Sequence, residues 1–284
     1  LGVVGYYPNK IPNPDLRWER TISYNIGFDL GFFQDHITAN VDLYRSMTRD
    51  LILERQLPNS TGFSNFLTNI GETRNTGLEA MLSTINVHAG DFHWSSNITF
   101  ALNRNEIVDL YGTGEDEPGS KWFIGQPIKV FYTLDWSGIW QLGEEEEAAV
   151  YGKKPGDIHF IDQDNNGEIN ADDRVIRGSG YPEWTGGISN NFSYKNFDFS
   201  FFVTAEQGGL INNDYMQRVM ENLIGRFNIP VVDYWTPQNP SNTIPRPSIE
   251  QRAHKDVLAI QDASYVRIHN VTLGYRLPSS LVQR

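Results

Sequence analysis

Strict two-residue alternation of apolar and polar side chains, sustained over nine or more residues, constrains this 284-residue chain most. Residues 22–30 place Ile22, Tyr24, Ile26, Phe28 and Leu30 on one phase and Ser23, Asn25, Gly27 and Asp29 on the other. Residues 37–45 set Ile37, Ala39, Val41 and Leu43 against Thr38, Asn40 and Asp42. The pattern returns with Trp94, Ile98, Phe100 and Leu102, with Phe197, Phe199, Phe201, Val203 and Ala205, and with Val271, Leu273, Tyr275 and Leu277. Successive side chains of a strand point to opposite faces, so these segments read as strands with one apolar and one polar side. A soluble strand is commonly about five or six residues long, whereas a tilted membrane-crossing strand needs about nine to eleven. Weaker strand candidates lie at 49–56, 77–88, 121–141 and 184–194.

The joints between strands are uneven. Gly31–His36, Ala89–Asp91 and Lys195-Asn196 are short and read as hairpin turns. Residues 104–120, 142–183 and 207–264 are long and polar. Short turns at one end and long loops at the other is the asymmetry of an outer-membrane barrel; a soluble sandwich has no evident need of such loops. Within the last loop, Asn213 is placed to cap a helix over 214–224 that ends at Gly225.

Composition narrows the classes. Aromatics make up 13% of residues while hydrophobic content is only 39%, which suits an aromatic-girdled band around a wet interior. The formal charge of -12, with Lys and Arg scattered, argues against nucleic acid as a partner. The absence of Cys excludes a disulfide framework and thiolate chemistry. No apolar run reaches 18 residues, so no transmembrane helix is expected. The start at Leu1 has neither Met nor a signal-peptide pattern, as expected of a piece of a longer chain.

Few motifs carry chemistry. The six His show no metal-ligand spacing, and no nucleophile elbow, P-loop or dinucleotide fingerprint occurs, so no enzyme activity is expected. The exception is the run from Asp162 to Asp173. Asp162, Asp164 and Asn166 stand at positions 1, 3 and 5 of a calcium-type loop, with Gly167 at 6, Ile169 at 8 and Asp173 at 12. Side chains of Asp162, Asp164, Asn166 and Asp173 and the backbone carbonyl of Glu168 are the candidate calcium ligands. Asp at position 12 reaches less far than the usual Glu, and the flanks are not helical. The other reading of the same residues is a turn held by Asx side chains bonding the backbone.

Several segments resemble the SusC/RagA-type TonB-linked outer-membrane proteins of Bacteroidetes. They are Asn13-Pro-Asp-Leu-Arg-Trp-Glu-Arg-Thr21; the stretch from Gly156 through the acidic loop to Gly178; Pro182-Glu-Trp-Thr-Gly186 followed by Phe192 to Ser200; Trp235-Thr-Pro-Gln-Asn-Pro240 with Pro245-Arg-Pro247; and Asp262 to Pro278. They run in family order. The resemblance implies an all-β, antiparallel transmembrane β-barrel with long extracellular loops. This chain would be its C-terminal part: about ten strands of a barrel of about 22, with the plug domain and last strands absent. It implies a TonB-dependent transporter in the cell outer membrane of a Gram-negative bacterium, importing glycans or peptides. The implied partners are outer-membrane lipid, an oligosaccharide or peptide substrate, a SusD-like surface lipoprotein and the TonB complex, the last reached through the N-terminal region. Ile22, Tyr24, Ile26 and Phe28 would then face lipid, and Ser23, Asn25 and Asp29 the lumen. Taken without the resemblance, alternation, aromatics and acidic loop also fit a secreted soluble β-sandwich that binds or cleaves carbohydrate.

Overall fold

The computed structural model describes residues 11–57, 59–63, 65–224, 228–229, 231–249 and 255–278. In chain order its strands are β1 (Arg20–Phe32), β2 (Ile37–Arg49), β3 (Ile52–Gln56), β4 (Asn65–Asn69), β5 (Glu72–Ala89), β6 (Phe92–Asp109), β7 (Val130–Leu134) and β8 (Trp136–Ile139). After helix α1 (Glu145–Val150) come β9 (Ile158–Phe160), β10 (Arg174–Ser179), β11 (Trp184–Tyr194), β12 (Phe197–Gln207) and β13 (Leu210–Asn212). Helices α2 (Asp214–Asn222) and α3 (Lys255–Ala259) precede β14 (Ile260–Asp262) and β15 (Tyr265–Tyr275). Among the described residues no helix is long and apolar enough to cross a membrane.

The chain divides into two compact units. The first comprises Leu1–Ile128, Glu183–Glu206 and Tyr265–Arg284. Its frame is a seven-stranded sheet in the order β1-β2-β5-β6-β11-β12-β15, with β1–β2, β2–β5, β5–β6, β6–β11 and β12–β15 paired antiparallel. The short joints turn tightly: Phe33, Gln34 and Asp35 all take positive φ in the first, Gly90 in the second and Lys195 in the third. The second unit, Lys129–Pro182 with Gln207–Ser264, is built from the two longest connections. Its core gathers Ile139, Ile158, Phe160, Val219, Met220, Trp235 and Leu258.

The seven strands are the alternating segments and their weaker neighbours at 77–88 and 184–194. β5 and β6 run longest because they extend past the apolar part as a largely polar ladder, Glu72–Thr76 against Arg104–Asp109. The candidates at 49–56 and 121–141 do hold strands, but outside this sheet. They supply β3, β7 and β8, which pair with β4, β10 and β9 in two-stranded ribbons. Thus, among the described residues, the main sheet holds seven strands where about ten are expected, and they form no closed barrel.

Register shows how alternation becomes a surface. Cross-strand partners share a face, so Leu30, Ala39, Leu82, Ile98 and Ile188 lie in one row. Phe28, Val41, Ala80, Phe100 and Gly186 lie in the next. On β15 the phase slips: Phe202 pairs with Asn270 but Val203 with Ile268, leaving His269 as a bulge. That extra residue keeps Val266 and Ile268 on the same face as Val271, Leu273 and Tyr275. This face is apolar and open to its surroundings, with Ile26 62% and Leu273 73% exposed. On β6 it runs eleven residues from Phe92 to Leu102, ten steps or about 33 Å along the strand. Tilted by about 40°, that spans about 25 Å, the height of a membrane barrel's outer band. A sandwich would cover this face with a second sheet; among the described residues the remaining strands form only two-stranded ribbons.

Candidate functional site

Hydroxyl, amide and carboxylate groups line the opposite face of the same sheet. Thr21 and Thr48 hydroxyls meet at 2.9 Å, and Ser23 donates to Ser46 at 3.0 Å. Asn105 donates to Asn75 at 3.0 Å, and the Asn40 amide donates to Asp29. Tyr44 lies over Gly77 on the neighbouring strand and donates to Asn103 at 3.2 Å. A side chain at position 77 would occupy the volume the phenol ring fills. Asp42, Glu79, Thr185, Phe202, Glu206 and His269 help line a hollow of about 590 Å³. Such a wall offers many hydrogen-bonding groups to a polar solute, with Asp29, Asp42, Glu79, Asp198 and Glu206 giving it a negative bias.

Within the second unit, the acidic loop brings three of its predicted ligands together. One oxygen each from Asp162, Asp164 and Asp173 lie within 4.8 Å of one another. Asp173 is fully buried and ties the loop shut: its two oxygens accept from the amides of Gln163 and Asn170, both at 2.8 Å. Asp162 accepts from the Gly167 amide at 2.8 Å and from Asn166 at 3.3 Å. Desolvation pushes the Asp162 carboxyl up, but the amides of Gly167, Asn165 and Asn166 and a bond from Asp164 outweigh it, so the net shift is downward. Asn166 joins through its own bonds, donating to Asp164 at 2.9 Å and accepting from the Glu168 amide at 2.7 Å. Glu168 itself is exposed and its carboxylate is not part of the converging group. Asn165 and Gly167 take positive φ, which turns the chain sharply enough for this convergence. A carboxylate has about four lone-pair directions. The amide bonds therefore leave acceptors free, and the donor set fits a hard cation such as Ca²⁺.

Sequence reasoning missed a second centre nearby in the same unit. Asp157 is buried and pairs with Arg246 at 2.8 Å. It also accepts from the Lys154 amide at 3.1 Å. The backbones interlock around the pair: Arg246 N–H donates to Gly156 O at 2.8 Å, and Gly156 N–H to Trp140 O at 2.7 Å. Trp235 packs over Gly156, whose φ is +90°, and donates from its indole to Gln141 at 3.0 Å. Trp140 is buried and stacks on His159 with ring centroids 3.5 Å apart. Desolvation holds the His159 imidazole below its ordinary range, against an opposing pull from Glu144. Thus Gly156-Asp157, Trp235 and Pro245-Arg246, scattered through the sequence, meet in one packed hub. No local pattern signals an ion pair across 89 positions.

The profile of the family described as "TonB dependent receptor-like, beta-barrel" matches residues 3–282. The chain belongs to this family. Within it, the chain is 33% identical over 281 residues to "TonB-dependent receptor P26" of Formosa agariphila, covering 94% of this chain and 28% of that protein. It is 30% identical over 288 residues to "TonB-dependent receptor SusC" of Bacteroides thetaiotaomicron, covering 95% and 27%. A solved structure, "Structure of the RagAB peptide importer in the 'open-open' state", superposes with a TM-score of 0.74 at 27% identity, covering 96% of this chain and 30% of that one. The chain therefore spans under a third of the length of these relatives. For the family, the apolar face is the outer wall of a barrel and the polar face its inner wall.

Proposed function

We propose that this chain is the C-terminal barrel part of an outer-membrane TonB-dependent transporter of a Gram-negative bacterium, importing glycans or peptides. The observation that carries this reading is the one-sided sheet: an open apolar band about 25 Å high on one face, hydroxyls and carboxylates on the other. A solute passing along the polar face meets exchangeable hydrogen bonds rather than a nucleophile or a general acid–base pair, so the activity is passage and not bond chemistry. A SusD-like lipoprotein over the barrel mouth and the TonB complex on the periplasmic side complete the machine, as the likeness to the SusC and RagAB proteins suggests. Fractionation tests the location: the full-length protein is expected in the outer membrane and soluble only in detergent. Recovery from the aqueous fraction without detergent sinks the reading. Deleting the gene should abolish uptake of a labelled glycan or peptide pool while leaving porin-sized solutes unaffected.

The loop from Asp162 to Asp173 fits into this reading as a structural calcium loop. The convergence of Asp162, Asp164 and Asp173 supports it, with Asn166 and the Glu168 carbonyl completing the set. A bound cation would neutralise three carboxylates held close together and stiffen the loop. Calorimetric titration of the full-length protein with Ca²⁺ should give heat that Asp162→Ala removes; no heat in the parent protein refutes the site.

A further inference from the structure

The outward face ends, on the side of the long connections, in a cluster of arginines with unequal surroundings. Arg20 pairs with Asp50 at 2.6 Å, Arg49 with Glu72 at 3.0 Å, and Arg74 with Glu106. Arg45 and Arg104 have no carboxylate partner among the described residues. Register places both in one row: Tyr24 opposite Arg45, Arg45 opposite Thr76, and Thr76 opposite Arg104. The row below it is Ile26, Leu43, Leu78 and Leu102, the top of the apolar band on β2, β5 and β6. Two cations without a carboxylate partner among the described residues therefore project from the apolar face, not from the inner wall, at its boundary with the polar end of the β5–β6 ladder. They stand two strands apart, about 10 Å. Tyr24, Arg45, Thr76 and Arg104 are all exposed.

An arginine on the lipid side of a barrel is tolerated near the interface, where its stem lies along apolar surface and its head reaches the headgroups. What such a head recognises best is a phosphate, through paired N–H bonds. The long-connection end of such barrels faces outward, where the leaflet is built of phosphorylated glycolipid. The Thr76 hydroxyl and the Tyr24 phenol beside the two guanidiniums suit sugar hydroxyls on the same headgroup. We propose that Arg45 and Arg104, with Thr76 between them and Tyr24 alongside, form a docking surface for the phosphorylated glycolipid of the outer leaflet. The proposal rests on the outer-membrane reading above.

The test is native mass spectrometry of the full-length receptor in detergent, titrated with lipid A, with dephosphorylated lipid A and with phosphatidylglycerol. The parent protein should bind lipid A, and R45Q/R104Q should bind it about 30-fold more weakly, each arginine accounting for about fivefold. R45K/R104K should fall between, because it keeps charge and loses paired donors. Dephosphorylated lipid A and phosphatidylglycerol should bind the parent protein no better than lipid A binds the double variant, and millimolar inorganic phosphate should not compete. Equal binding of lipid A to parent and double variant overturns the surface, as does equal binding of either control lipid. Heat-dependent gel migration reports folding; if the double variant does not fold, R45Q and R104Q are read singly against the fivefold expectation. Fractionation outside the outer membrane would sink the transporter reading, whereas correct fractionation with unchanged lipid binding would sink only this surface.

Discussion

If the open face of the sheet meets lipid, the cost of a charge placed on it must depend on depth. Ile98 is the sharpest position. It sits near the middle of the Phe92–Leu102 band on β6, paired with Leu82 on one side and Ile188 on the other. Replacing it with arginine puts a guanidinium about 12 Å from either interface, beyond comfortable reach of the headgroups. The expected cost is about 2–4 kcal/mol, which lowers the folding equilibrium about 30- to 900-fold. Leu102 is four residues further along, about 13 Å by strand rise and about 10 Å in depth at a 40° tilt. Leu102→Arg should therefore cost about 1 kcal/mol or less, because the side chain reaches the interface. Asn97, one residue away from Ile98, points to the inner wall beside Ser83 and Ser189. Asn97→Arg should stay within about 1 kcal/mol of the parent, as surface substitutions usually do. Urea titration of the full-length receptor folded into lipid vesicles, followed by heat-dependent gel migration, measures all three. Equal losses at Ile98 and Leu102 would refute the depth argument, since a buried soluble core has no reason to spare the band edge.

Other consequences follow from the two units taken singly. Arg246→Gln strands the buried Asp157 carboxylate, at a cost of about 3–5 kcal/mol to the second unit; hydrogen exchange should quicken at Trp140, Gly156 and Asp157 while Ile98 and its neighbours stay protected. Asp162 has its pKa held below the usual carboxylate range, so its contribution to loop order is present above the unfolded value of about 3.9 and is lost as pH falls through the lower, folded value. Exchange at Asn166 and Gly167 should therefore rise only in strong acid, and a rise beginning near neutral pH would contradict the bonding described. Gly77→Val should displace the Tyr44 ring and cost about 1–3 kcal/mol; adding Tyr44→Ala should recover part of it, which a double-mutant cycle would show as coupling between the two positions.

Local and long-range information divide cleanly in this chain. The strands β1, β2, β6 and β12 were legible because a face that must be apolar throughout writes itself into every second residue. The helix α2 was legible for a similar reason: the Asn213 side chain accepts from the Tyr215 and Met216 amides at 3.1 and 3.3 Å, a capping arrangement contained within four residues. The helix ends at Asn222, two residues short of the expected span to 224, and Gly225 lies outside the described residues. The resemblance supplied the family, and the register then gave it a physical basis. What alternation could not give was its own interruptions. Val266 and Ile268 stand out of phase with Val271 in the sequence, and only the partner strand shows that His269 bulges and restores the face. Asn86 does the same on β5, where Ile85 pairs with Ser95 but Val87 with Trp94. Its side chain then closes a polar knot on the apolar face, donating to Ser96 at 2.7 Å, while Asn190 accepts from Ser96 at 2.6 Å and from Trp94 at 2.9 Å. In lipid that knot is tolerable because these donors find acceptors within it. The hub of Asp157, Arg246 and Trp235 was illegible for the opposite reason. Its members are held by packing across long connections, and each alone looks like an ordinary loop residue. Composition and period therefore report the solvent a face must meet, whereas the arrangement of the connecting segments depends on contacts that no window of sequence contains.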